Sequence, residues 1–217
     1  MKRHAAANVA LMISLLFSVF SIKAADFWQD DWVAPQRAEN NRLLLRPIQV
    51  ADTERLFHSY MGSQAYLYQR LGWSWPTEKS SLEQNQSMVQ FHLKQRENNS
   101  AFTYVVIDRE RDMLIGAIYF VPVTAERGQT GAIQSDSFNA EITWWLTEPA
   151  INQNLHNDLF EILTQWLKTS WPWQQVLFPV ANSNRNAMGL LESSSARFVG
   201  ENRDTNERFY SYTLARK

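Results

Sequence analysis

The chain has 217 residues, 21 Lys and Arg against 22 Asp and Glu, and no cysteine. That length suits one domain of ordinary size. A hydrophobic share of 45% with 13% aromatics supplies a core and excludes disorder over most of the chain. The near-neutral charge argues against a nucleic-acid partner held by a broad basic face. Zero Cys excludes thiolate catalysis, disulfides and Cys-ligated zinc.

Residues 1–24 read as a secretory signal or an N-terminal anchor. Lys2 and Arg3 give a basic start, Val9–Phe20 is a strongly apolar centre, and small residues Ala24-Ala25 precede Asp26. The stretch Ala5–Ile22 is about the lower limit for crossing a bilayer. A cleaved signal and an uncleaved anchor are therefore both open, and membrane contact is expected only through this segment. Both readings export the remainder, to the periplasm or tethered outside the cytoplasm. Cleavage after Ala24 removes Lys2, Arg3 and Lys23 from the 21 basic residues and no acid, leaving 18 against 22, a net of −4. Residues 25–41 read as a tether whose Phe27, Trp28 and Trp32 are placed to dock on the domain that follows, residues 42–217.

Within that domain strands and helices alternate. Arg42–Pro47 is a short strand closed by proline. Asp52 caps a helix with Leu56, Phe57 and Tyr60 on one face. Gly62–Pro76 is expected to be a loop or a short irregular helix, because Gly72 and Pro76 break an aromatic run. Ser80 and Glu83 form a capping-box pattern before a helix carrying Leu82, Val89 and Leu93. Ala101–Asp108 and Met113–Val121 are β-rich runs joined by a charged turn, an antiparallel hairpin. A polar loop, Thr124–Ser137, precedes a strand at Phe138–Leu146. Leu155, Leu159, Ile162, Leu163, Trp166 and Leu167 make a helical stripe. Gln174–Val180 is a strand, Asn184 starts a helix bearing Ala187, Leu190 and Leu191, and Phe198–Glu201 and Phe209–Leu214 close the chain as strands.

Three pieces of this order carry a resemblance. Arg46-Pro47-Ile48-Gln49-Val50-Ala51-Asp52, followed by Leu56-Phe57, is one. Ala140-Glu141-Ile142-Thr143-Trp144-Trp145-Leu146 is the second. Asn184-Arg185-Asn186-Ala187, Leu190-Leu191-Glu192 and Arg197-Phe198-Val199-Gly200-Glu201 together form the third and most specific. In this sequence they resemble the first strand and helix, the fourth strand, and the Asn-x-x-Ser/Ala…Leu-Glu-Lys-x-Gly-Phe motif of GNAT (GCN5-related) N-acetyltransferases. The resemblance covers about Arg42–Leu214. It implies an α/β (α+β) fold: a central mixed, mostly antiparallel sheet flanked by helices, working as an acyl-CoA N-acyltransferase.

The resemblance also implies a site. In the family the acyl-CoA sits where the fourth and fifth strands splay, with its pyrophosphate on backbone N–H groups at the start of the next helix. The matching residues for acetyl-CoA are Trp145, Leu146, Asn152, Asn154, Leu155 and Asn184. The family's two loop glycines fall on Asn152 and Asn154. Asn is the residue after Gly that best tolerates positive φ, so either the turn survives in altered form or the Asn residues are ordinary caps. Glu141 matches the carboxylate that takes the proton from the attacking amine. The family's thiolate-protonating Tyr is replaced by Leu191, and Tyr210 and Tyr212 in the last strand read more simply as core or surface aromatics than as its replacement. Ser193-Ser194-Ser195-Ala196 lengthens the turn before the next strand. Tyr66, Tyr68, Trp73 and Trp75 either close the core or line a groove for the acceptor, an amine-bearing small molecule or peptide.

Three function classes follow: an exported or tethered acyl-CoA N-acyltransferase, a non-catalytic GNAT-like binding module of the cell envelope, and a cytoplasmic enzyme whose true start lies further along. The first accounts for the fold and Glu141. The second accounts for the missing glycines. No metal is expected, because His4, His58, His92 and His156 stand far apart without ligand spacing.

Overall fold

A computed structural model describes residues 27–29, 31–71, 75–124 and 133–214. The expected signal or anchor, Trp73 and part of the loop before Phe138 lie outside these residues. Among the described residues, no helix is long and apolar enough to cross a membrane.

The chain order is β1 (Ala38–Glu39), β2 (Leu43–Pro47), α1 (Thr53–Gly62), α2 (Gln64–Leu71), α3 (Leu82–Glu97), β3 (Phe102–Asp108), β4 (Met113–Val121), β5 (Ala140–Leu146), α4 (Glu148–Asn152), α5 (Leu155–Ser170), β6 (Gln175–Ala181), α6 (Arg185–Glu192), β7 (Arg197–Asn202) and β8 (Glu207–Thr213). The strands form one sheet in the order β1-β2-β3-β4-β5-β6-β8-β7. Every neighbouring pair is antiparallel except β5 and β6. That one parallel pair needs a long crossover, which α4 and α5 supply.

Strand alternation sends side chains to two faces. On one, Ala140, Ile142 and Leu146 of β5 and Val176 and Phe178 of β6 pack under α5 and α6. The α5 stripe is buried along its length, and each large apolar side chain contributes about 1.5–3 kcal/mol. On the other face, Val105, Ala117 and Trp145 meet Leu56 and Tyr60 of α1, Leu67 and Leu71 of α2 and Val89 of α3. Both layers are apolar because the sheet is covered on both sides.

Two expectations need correction. Gly62–Pro76 contains a regular eight-residue helix, α2, because Leu67 and Leu71 recur at the i, i+4 spacing that buries one face. The capping box before α3 is one residue later than expected: the Ser81 side chain accepts from Gln84 N–H, and the Gln84 side chain accepts from Ser81 N–H.

The segment before Arg42 is packed on the sheet. Phe27 stacks on Phe102 and Trp173 with ring centroids 5.6 and 5.4 Å apart. Trp32 lies 5.0 Å from Trp171. Trp173 Nε1 donates to the Phe27 carbonyl at 2.7 Å, and the Tyr104 hydroxyl donates to the Pro35 carbonyl at 2.6 Å.

Candidate active site

The site starts from how β5 and β6 pair. Their parallel register holds only at Ala140↔Val176 and Glu141↔Leu177. Beyond Glu141 the strands diverge, while β4 stays paired with β5 through Leu146. The result is a wedge opening toward the C-terminal ends of β5 and β6. Gly116 lets β4 approach β5 closely there: a Cβ on it would lie 2.2 Å from the Trp145 carbonyl oxygen.

The mouth of the wedge is the turn between α4 and α5. Asn154 adopts φ 60° and ψ 20°, the left-handed region. The expected tolerance of Asn for that conformation is therefore used at one of the two positions where the family has glycine. Asn152 is different: it is the last residue of α4 and is helical. The first N–H groups of α5 have no partner within the helix and carry the positive end of its dipole. Asp158 in that first turn is paired with Arg42 at 2.7 Å, and Arg42 also donates to the Gln153 carbonyl at 3.2 Å. Arg42 thus fixes the turn and offsets the acid that would repel an anion. Sequence reading missed this role, because 116 residues separate the pair.

Two small cavities lie inside the wedge, each of about 20 Å³. Trp144 and Asn184 line both; Trp145, Leu146, Ile151 and His156 line the second. Of the residues expected to bind cofactor, Trp145, Leu146 and Asn184 are thus brought together, with Asn154 and Leu155 at the mouth. Asn184 also caps α6, its side chain accepting from Ala187 N–H at 3.3 Å. Asn152 is exposed. The Trp145 side chain lies on the opposite face from Trp144: its Nε1 donates to the Tyr119 hydroxyl at 3.1 Å, and its ring faces Tyr60 and Trp75. Burial pushes the Tyr60 hydroxyl up to about 12, so it stays neutral.

Glu141 does not line either cavity. It is buried at the closed end of the wedge, in the last paired rung, and by alternation it shares a face with Thr143 and Trp145. Leu191 is fully buried in the core. The Tyr210 hydroxyl donates to Glu192 at 2.8 Å, and Tyr210 and Tyr212 are both buried in the same core layer; neither lines the wedge cavities.

The wedge is shut by α2, whose role sequence reading also missed. Arg70 Nη1 donates to the Ser183 carbonyl at 3.1 Å, and the Ser183 hydroxyl donates back to the Arg70 carbonyl at 3.0 Å. Asn186 Nδ2 reaches the Tyr66 hydroxyl at 3.5 Å. These bonds tie α2 to the turn between β6 and α6 and to the first turn of α6. A small-molecule site ordinarily spans about 300–1,000 Å³, and a space of 20 Å³ holds about one water. The polar parts for a CoA phosphate are present: the α5 N-terminus, the left-handed turn and the Asn184 side. The two cavities behind α2 are far smaller than such a site.

An antiparallel sheet with one splayed parallel pair, leading to a helix N-terminus, defines an acyl-CoA-transferase type of fold. A family model described as an acetyltransferase (GNAT) domain matches residues 42–197, and the chain belongs to that family. No curated protein sequence matches it. Among solved structures, ribosomal-protein-S5-alanine acetyltransferase from Vibrio fischeri is similar with a TM-score of 0.64 and 14% identity, covering 83% of this chain and 97% of that one. RimL, a ribosomal L7/L12 alpha-N-protein acetyltransferase in complex with coenzyme A, has a TM-score of 0.63 at 16% identity, over 82% and 98%. The microcin C7 self-immunity acetyltransferase MccE in complex with acetyl-CoA and AMP has 0.63 at 12%, over 81% and 94%. The expected mixed, mostly antiparallel GNAT fold is the observed one.

Proposed function

We propose that the protein is an acyl-CoA-dependent N-acyltransferase that moves an acetyl group to an amine, with Glu141 as general base. The observation that carries this reading is the wedge itself: β5 and β6 part immediately after Glu141 and open onto the left-handed turn at Asn154. Acyl-CoA, when bound, supplies an activated thioester. The chain's own residues do the rest. The α5 N–H groups bind phosphate charge, and Arg42 holds their turn in place. The Glu141 carboxylate accepts the amine proton, directly or through a water. Leu191, where the family has a proton donor, has none to give. Thr143 and Tyr119, facing each other across β5 and β4 and both half-buried, flank the approach for the acceptor on the Glu141 face. The similar enzymes named for ribosomal proteins act on protein amines, which supports a peptide or small-molecule amine here.

Calorimetry of residues 26–217 with CoA, followed by acetyl-transfer assays on amine panels, tests this. Glu141→Gln should lower the rate by about 10²-fold or more; an unchanged rate removes Glu141 from the mechanism. The closed wedge supports a second reading, a GNAT-like binding module of the cell envelope, for which CoA binding would be absent below millimolar concentration. The basic and apolar N-terminal residues support export in either case. Residues 1–30 fused to a reporter active only outside the cytoplasm should give signal.

A further inference from the structure

The family's glycine loop is only half replaced: Asn154 keeps the turn, and no basic residue lies in 150–155 to add charge. Charge reaches the same cavity from elsewhere. Arg70, in the last turn of α2, lines it together with His156, the second residue of α5, and Asn186 of α6. Burial lowers the His156 pKa, and its Nδ1 is enclosed without a hydrogen-bond partner among the described residues. Among the described residues lining this cavity, Arg70 is the one that carries a permanent charge.

An Arg near a helix C-terminus is commonly a partner for its own helix dipole. Arg70 does something else. It reaches across the wedge to the Ser183 carbonyl, and its guanidinium lies 5.6 Å from the centre of the Tyr66 ring. Among the described residues, that carbonyl is its one hydrogen-bond acceptor, which leaves other N–H donors of the fork for a ligand. A neutral carbonyl is a weaker acceptor than a phosphate oxygen, which makes charge-assisted and often bidentate bonds with Arg.

We infer that Arg70 is a phosphate-binding residue of the wedge: it holds α2 shut through Ser183 when the site is empty and exchanges that carbonyl for ligand phosphate when α2 opens. The inference rests on the acyl-CoA reading for its natural ligand, but the chemistry it names is a phosphate or pyrophosphate anion. A strap alone and an anion site differ in sign. If Arg70 only straps α2, removing it eases opening and tightens binding. If it binds phosphate, removing its charge weakens binding.

The test is calorimetry of wild type, Arg70→Gln and Arg70→Ala with CoA and with inorganic pyrophosphate, each at low and high salt. Gln keeps a donor for the Ser183 carbonyl and loses the charge, so it separates the two roles and carries the test if the Ala variant does not fold. We expect both variants to bind CoA about tenfold more weakly or worse, the scale of one hydrogen bond to a charged group. Their binding should also depend less on salt. Unchanged or tighter CoA binding by Arg70→Gln overturns the inference and leaves the acyl-CoA reading intact. Pyrophosphate binding that needs Arg70, with no CoA binding, sustains the inference and overturns the acyl-CoA reading. Binding of neither ligand by wild type overturns both.

Discussion

The two ends of the sheet are held by different physics. At the end where β5 and β6 begin, Phe27, Trp32, Phe102, Phe120, Trp171 and Trp173 form a continuous ring-on-ring cluster, with Trp171 to Trp173 at 4.3 Å and Phe120 to Trp171 at 4.4 Å. At the end where they part, three polar bonds from α2 span the gap. Aromatic burial is worth several kcal/mol per side chain and does not exchange readily with water. A hydrogen bond nets about 0.5–1.5 kcal/mol, because water offers the same groups an alternative. The first end is built to stay closed and the second to open; the candidate cofactor residues lie toward the second, and Glu141 sits in the last rung between the two.

The contrast can be attacked from either end. The largest effect is expected at the closed end. Trp173 is fully buried and bonded to the Phe27 carbonyl, so Trp173→Ala should cost about 3–5 kcal/mol in urea unfolding. Loss under 1 kcal/mol would show that the cluster is incidental. The two loop Asn residues come next. Asn152 is helical, so Asn152→Gly should cost up to about 1 kcal/mol. Asn154 already has positive φ, so Asn154→Gly should be neutral or slightly stabilising. Equal effects at both positions would contradict the conformational difference between them. The smallest global effect belongs to Ser183→Ala, which removes one bond of the strap. It should leave the melting temperature within a few degrees while speeding amide exchange in α2 more than in α1. Uniform exchange across both helices would mean that α2 does not open separately.

Much of this was legible in the sequence because it is written locally. The α5 stripe repeats at helical spacing, and the β3–β4 hairpin is two β-rich runs around a charged turn. Asn152 and Asn154 stood out together because the family resemblance puts glycine at both, and the structure uses a positive φ at Asn154 and a helical one at Asn152. What was not legible depends on distant pairing. In α2, the only fully apolar spacing is Leu67 to Leu71 amid Tyr, Gln and Arg, so the aromatics and flanking breakers suggested a loop or a short irregular helix. The lead-in's period is absent because it follows the shape of an aromatic surface built from β3, β4 and the segment after α5. The Arg70 to Ser183 and Arg42 to Asp158 contacts join residues more than a hundred positions apart, and nothing local marks either arginine. Glu141 was readable as a position in a motif; its place in the last rung before the strands part was not.

That last rung has a mechanical consequence. With only two paired positions joining β5 to β6, the sheet is two plates meeting along a short hinge line: β1–β5 on one side and β6, β8 and β7 on the other. From β2 to β5 on one side and across β6, β8 and β7 on the other, longer ladders resist shear, whereas across the line a small rotation breaks few bonds. The apolar layer under α5 touches both plates and sets the return force. A twist of a few degrees about that line widens the far end most, as a door's free edge moves farther than its hinge. The sheet therefore has its softest torsional axis beside the candidate base Glu141.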